Sequence, residues 1–402
     1  MRRLFKWFFW VTLAIIPLSF PLSLPGGSVL NFPSEWMLSL LSIVVVWGII
    51  RGRWPENEAM NHPITLLLLL DLAISLLSAI NSELPLVSFK RLAVKVLYFL
   101  VFYWWMLRVF RERRMIMGYY WAVFAGLLLS VIIIIVRHAT YGFEARFAPA
   151  MPSPFFSDHT IYGAVITFFI PLLMTEGFKE FPRRYKPALW GGVFLLFSGL
   201  FLSFSRGAWL SLAFAAGVGG GLYLPFPRKW LLWVFPVIFA AAGLFLFYTA
   251  NTGNYTENVS NQERINRWLT AVRLFEARPL LGWGPGTYQY VYGPYQKVEE
   301  MTRISTYHGD MGNAHSEYLG PLAEQGVAGG LIVLLLVFFT VKSGLTLIGK
   351  RPHETPLALG LWLSLITFWF HGFLNGFLDQ DKMAVLVYGG MAGLVILNKN
   401  KD

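Results

Sequence analysis

Apolar runs of about twenty residues recur along the whole of this 402-residue chain. Twelve can be marked, at about 4–24, 36–50, 63–80, 87–107, 115–136, 160–178, 187–204, 207–224, 230–250, 317–341, 356–373 and 383–397. A helix of roughly twenty apolar residues crosses the ~30 Å hydrocarbon core of a bilayer and satisfies its own backbone there. With 56% of residues hydrophobic and 14% charged, the chain has too little polar surface for a water-soluble fold of this length. The expected fold is an all-α polytopic membrane protein of about twelve transmembrane helices.

The opening "RRLFKWFFWVTLAIIPLSFPLSL" has the basic start and apolar body of a signal peptide. No small-residue cleavage pattern follows it, and it is read as the first span. Basic residues then orient the rest. With the N-terminus in the cytoplasm, the inner segments hold twenty of the thirty-three Lys and Arg. Both termini are therefore expected inside, and the net charge of +11 records topology rather than nucleic-acid binding. The absence of cysteine excludes disulfides and thiol catalysis. Residues 1–250 are expected to carry spans one to nine, 251–316 one large outer loop, and 317–402 the last three spans.

That loop is not a linker. "SNQERINRWLTAVRLFEARP" opens on a capping box, Ser260 with Glu263, and stops at Pro279. Ile265, Trp268, Leu269 and Val272 form one apolar face at helical spacing, so an amphipathic helix is expected to lie on the bundle or its surface. At 100° per residue, Arg264 falls at the edge of that face and Arg267 about 60° further into solvent.

Positive-inside topology explains the inner charges but not the outer ones. Lys90, Arg91 and Lys95 lie at the outer end of the fourth span, Arg206 in the turn "SFSRGAW", Arg264 and Arg267 on the loop helix, and His315 where the loop re-enters the membrane. Converging on one outer cavity, they would need an anion to offset their desolvation, and a lipid-linked phosphate or pyrophosphate fits guanidinium geometry. Plainer roles exist for each. The three fourth-span residues can snorkel to headgroups, Arg206 can cap helix carbonyls, and His315 can be an interfacial histidine. Asp71, deep in "LLLLLDLAIS", should have a hydrogen-bonding partner and a structural role. His159 beside Asp158, and Asp379 with Asp381, stand at outer helix ends as further candidates for a base, a sugar contact or an ion pair. "GWGPGTY" has glycines at 282, 284 and 286, but no strand precedes it, so a nucleotide fingerprint is excluded by context. His308, Asp310 and His315 are irregularly spaced for a metal and surrounded by cations. Tyr288, Tyr290, Tyr292 and Tyr295 suit sugar stacking and interfacial anchoring equally.

With these residues in view, the whole chain resembles the O-antigen ligase and O-antigen polymerase superfamily of bacterial inner-membrane glycosyltransferases. Three stretches carry the resemblance. His315-Ser316, nine residues, Gly326, two residues and Gly329 fully match the ligase histidine pattern. "SFSRGAWLSL" is similar to the superfamily's Ser-Arg-Gly turn. "RINRWLTAVRLFEARPLLGWGPGTY" is similar to its loop signature, in which the arginine four residues before the tryptophan is Arg264. The resemblance implies a glycan donor on undecaprenyl pyrophosphate, a sugar hydroxyl of lipid A–core as acceptor, and an active site facing the periplasm. It implies no cofactor and no nucleic-acid partner. In a matching mechanism Arg206 and Arg264, helped by Lys90 or Arg91, hold the pyrophosphate, and His315 is the general base of an inverting transfer. Arg267, Ser316 and Asp379 are further expected substrate contacts. Only the histidine pattern separates a ligase from an O-antigen polymerase or a protein O-oligosaccharyltransferase. A transporter or flippase is the alternative of a different class, and charges crowding one leaflet under a large loop speak against it.

Overall fold

Each of the twelve apolar runs is helical over most of its length, with ends set by proline, glycine and capping side chains. The computed structural model describes residues 2–23, 29–179, 184, 186–224, 227–252, 259–306, 312–349 and 355–399. The first run is the exception in shape. Helix α1 (Arg2–Ile15) stops early because Pro17 and Pro21 cannot donate a helical N–H. A 3-10 turn then leads into an antiparallel ribbon, β1 (Phe20–Ser23) with β2 (Val29–Phe32), in which Phe20 stands opposite Phe32. The span expected to continue to residue 24 thus ends as a ribbon.

There follow α2 (Ser34–Ile50), α3 (Pro63–Ile80), α4 (Pro85–Val109), α5 (Arg113–Ala139), α6 (His159–Lys179), α7 (Lys186–Leu202), α8 (Arg206–Gly221) and α9 (Leu231–Thr252). The loop helix is α10 (Val259–Ala277), and α11 (Leu319–Ile348), α12 (Pro356–His371) and α13 (Asp381–Lys399) complete the chain. By length and composition, α3, α4, α5, α11, α13 and the segment Arg228–Phe245 are long and apolar enough to cross a membrane. Shorter apolar helices include α2, α6, α7 and α12. The result is an all-α architecture whose only described sheet is the terminal ribbon.

The centre of the bundle is made by α12 and α13, which are apolar on every side and enclosed on every side. Ser364 on α12 donates to the Phe168 carbonyl of α6 at 2.5 Å, and Tyr119 on α5 donates to the Val385 carbonyl of α13 at 2.6 Å. Small residues let these helices approach. Gly344 on α11 lies directly against the fully buried indole of Trp362, and a Cβ there would overlap the ring. By contrast, only 11% of the apolar window that opens α9 is buried. That leaves Trp233, Val237 and Leu244 facing outward.

Inside the bundle Asp71 has its expected partner. Asp71 on α3 pairs with Lys95 of α4 at 2.6 Å, and Lys95 also donates to Ser75 at 2.9 Å. Lys95 therefore turns inward instead of snorkelling. Asp381, at the start of α13, is fully buried and accepts from Ser19 and Ser34, which ties the terminal ribbon to the core.

Gly344→Ala should destabilise the detergent-solubilised protein by about 1–3 kcal/mol through overpacking, read as a lower melting temperature. An unchanged melting temperature would mean that α11 and α12 do not meet at this point.

Candidate functional site

His315 sits on a short strap, residues 312–318, between the loop and α11, and almost every polar atom of that strap is engaged. The Asn313 side chain accepts the His315 N–H at 2.9 Å and donates to the Gly376 carbonyl at 3.1 Å. Trp268 on α10 donates its indole N–H to the His315 carbonyl at 3.1 Å. Ser316 caps α11, its hydroxyl accepting from the N–H groups of Tyr318 and Leu319. The Glu317 N–H donates to Gly372, and its carboxylate accepts from the N–H groups of Phe377 and Leu378. These contacts hold His315 in the left-handed region, at φ 48°, a conformation that a non-glycine residue keeps only when its surroundings impose it.

The same α12–α13 connection supplies the ring's partner. Asn375, buried, presents its amide oxygen to His315 Nδ1 at 3.0 Å. An amide oxygen carries no proton, so Nδ1 donates and Nε2 keeps the lone pair. Nε2 has no hydrogen bond among the described residues. Burial first, then the positive charge of Arg267, push the imidazole pKa down to about 4, so the ring is a neutral base near pH 7.

Asn375 and Trp268, which bond His315, also line a cavity of about 480 Å³, and His315 itself is not among the lining residues. Ser205 caps α8, its hydroxyl accepting the Ala208 N–H at 3.4 Å, so Arg206 falls in the first turn of that helix. Arg206 donates to the Asn261 amide oxygen at 3.3 Å. Arg264, one turn along α10, donates to that same oxygen at 3.4 Å and to the Ser260 hydroxyl at 3.3 Å. Two guanidiniums thus share one neutral acceptor, and Nε of Arg264 is buried with no partner. Burial, then Arg206, lower the Arg264 pKa from its ordinary value. No carboxylate lines the cavity among the described residues; its remaining polar walls include His159, Trp268 and Asn375. Phe204, Leu210 and Phe245, all exposed, make an apolar flank. Such a lining suits an anion attached to an apolar carrier.

The other expected site residues are placed elsewhere. Lys90, Arg91 and Asp379 line a separate polar cleft with Asn31, Glu35 and Asn313, and Arg91 is ion-paired with Asp379. Arg267 corrects the helical-wheel reading: it is 2% exposed, not solvated. Its Nε pairs with Glu263 at 2.9 Å, its guanidinium lies 5.1 Å from the Tyr292 ring centre, and Nη1 reaches the Asn313 carbonyl at 3.4 Å. The loop wraps α10 on the face that a wheel assigns to water, which a wheel cannot register. For the same reason the capping box does not form. Glu263 is spent on Arg267, Thr302 and Ser305. Tyr288 and Tyr292 are buried and stacked in parallel at 5.5 Å, Tyr295 packs edge-on to Trp283, and Tyr290 is exposed.

The glycine turn serves docking. Gly282, Gly284 and Gly286 all have positive φ. The N–H groups of Trp283 and Gly284 donate to the Ala323 and Glu324 carbonyls of α11 at 3.2 and 2.8 Å. The Glu324 carboxylate accepts from the N–H groups of Gly286 and Tyr288. Opposite them Gly326 breaks the helical conformation of α11, at φ 66°, letting the Pro279 and Leu280 carbonyls approach. Val327 N–H then bonds Pro279 at 2.8 Å. His308 and Asp310 lie outside the described residues, and among those described no three metal-binding side chains cluster.

Residues 191–334 match the family profile described as O-antigen ligase. Over that stretch the chain is similar to the O-antigen ligase family. The O-antigen ligase match covers about a third of the chain and takes in Arg206, Arg264, Arg267, His315 and Gly326. His159, Asn375, Lys90, Arg91 and Asp379 fall outside it. No curated protein matches the chain significantly. Three asparagines of the site, Asn375, Asn313 and Asn261, belong to none of the motifs found in the sequence. Asn375 nonetheless stands among glycines and apolar residues in "HGFLNGFL", and Asn313 is two residues before His315. A lone side-chain amide in such a setting is the signal that could have found them.

If His315 serves as a general base, the free-enzyme pH profile, kcat/KM, should stay level from neutrality to about pH 5 and fall near pH 4, as the imidazole becomes protonated. Asn375→Asp sets a carboxylate against Nδ1, raises the imidazole pKa, and should move the fall upward by about one pH unit or more. An Asn375→Asp profile identical to wild type would remove Asn375 from contact with the base.

Proposed function

We propose that this chain is an O-antigen ligase, transferring a glycan from undecaprenyl pyrophosphate to a sugar hydroxyl of lipid A–core. The observation that carries the reading is the pairing of Arg206 and Arg264 on one neutral oxygen, in a cavity that also contains the amide holding His315. In this reading the chain spans the bacterial inner membrane twelve times with both termini in the cytoplasm, and residues 251–316 form the periplasmic loop. The pyrophosphate enters from the apolar flank and is bound by the two guanidiniums, which take the charge-stabilising part that a metal plays in other sugar transferases.

The acceptor hydroxyl loses its proton to His315 Nε2 as its oxygen attacks the anomeric carbon. The bond from that carbon to the pyrophosphate oxygen breaks on the opposite face, and the electron pair leaves with undecaprenyl pyrophosphate. The anomeric configuration inverts. Pyrophosphate seated on Arg264 offsets one of the charges that weaken His315, so the base strengthens when the donor arrives. Lys90 and Arg91 do not line the arginine cavity, and with Asp379 they are assigned to saccharide contacts in the polar cleft. Arg267 and Ser316 act through the strap, one on the Asn313 carbonyl and the other as the cap of α11.

The test is transfer in liposomes containing undecaprenyl-pyrophosphate glycan, with and without lipid A–core. The expected result is glycan on lipid A–core, reduced by roughly 10²–10⁴-fold in His315→Ala. Lengthening of lipid-linked glycan without the acceptor would make the chain a polymerase, and near-normal turnover in His315→Ala would remove the base.

A further inference from the structure

The anion cavity contains a second histidine that this mechanism leaves unused. His159, the first residue of α6, lines the cavity with Arg206 and Arg264. Gly163, one turn further on, lets α6 close on Ser205 and Ala208 at the start of α8. A Cβ there would come 2.9 Å from the Ala208 Cβ. That close crossing is what brings His159 to the Arg206 wall.

The ring has no protein acceptor to satisfy it. Nδ1 of His159 is buried and without a partner, as is Nε of Arg264. The adjacent carboxylate gives His159 no hydrogen bond: Asp158 Oδ1 caps α6 by accepting from the N–H groups of Thr160 at 2.6 Å and Ile161 at 3.0 Å, and Asp158 acts on His159 and Arg264 through its charge alone. A neutral imidazole carries one ring proton. On Nδ1 it would be a buried donor left unpaired. On Nε2 it is available to whatever occupies the cavity. A neutral donor also adds a hydrogen bond without adding a third positive charge beside two guanidiniums.

We propose that His159 is the third donor of the anion site, giving its Nε2 proton to a pyrophosphate oxygen held between Arg206 and Arg264. The proposal rests on the reading of this cavity as a pyrophosphate site. The test is equilibrium binding of undecaprenyl pyrophosphate to the full-length protein in detergent. The proteins compared are wild type, His159→Leu, His159→Gln and His159→Asn, with Arg206→Gln and Arg264→Gln as reference variants. A glutamine amide nitrogen reaches the Nε2 position, whereas an asparagine nitrogen stops near Nδ1. Loss of a hydrogen bond to a charged group should weaken binding about tenfold or more in the Leu and Asn variants, with Gln close to wild type. If Leu fails to fold, judged by melting, the Gln–Asn comparison decides alone. Equal affinity of wild type and the Leu variant, or Gln no tighter than Asn, overturns the role of His159. The cavity still stands as a pyrophosphate site in that case if the arginine variants bind weakly. Failure of wild type to bind, or arginine variants that bind like wild type, overturns both readings together.

Discussion

Arg206 and Arg264 lie on different helices, more than fifty residues apart in sequence, and they meet on one uncharged oxygen, that of Asn261. Two like charges at such a site repel, and a neutral amide does little to offset them. The arrangement is held by contacts made elsewhere. Ser205 starts α8 at the right residue, and the wrapping of α10 by its own loop fixes the helix that carries Arg264. No carboxylate lines the cavity among the described residues, and Asp158 acts on Arg264 only from outside that lining; in the proposed function an incoming anion completes the site.

Docking of the loop is the mechanical counterpart of that charge. Residues 279–288 lie on the first turns of α11 through backbone hydrogen bonds, possible because Gly282, Gly284 and Gly326 take positive φ and Gly282 and Gly326 let the two backbones approach closely. Glu324 completes the joint by taking two loop N–H groups. Arg267 belongs to this framework: paired with Glu263 and covered by Tyr292, it braces the strap from behind. Gly326 of the histidine pattern and Gly282 of the loop signature are thus two sides of one contact.

The fold class and the helix order are legible in the sequence because hydropathy over twenty residues is a strong signal with one physical cause. The ribbon at residues 20–32 is not, since two prolines in an apolar run shift the balance locally without altering the average. At the site, motifs point to Arg206, Arg264 and His315, and the cost of a carboxylate in a span points to a partner for Asp71. Arg267 defeats the helical wheel, which shows one buried face, whereas α10 is covered on two. Asn261, Asn313 and Asn375 escape for a different reason. Each acts through a tertiary hydrogen bond whose partner lies on another element. Charge is visible in a sequence, but the neutral group that holds it in place seldom is.

The most direct measurement is a structure of the protein in lipid nanodiscs with an undecaprenyl-pyrophosphate glycan bound. Pyrophosphate density is expected between the guanidiniums of Arg206 and Arg264, with the anomeric carbon facing His315 Nε2 and the Asn375–Nδ1 contact intact. Pyrophosphate seated instead against Lys90 and Arg91, with Arg206 and Arg264 still sharing Asn261, would contradict this assignment of the site.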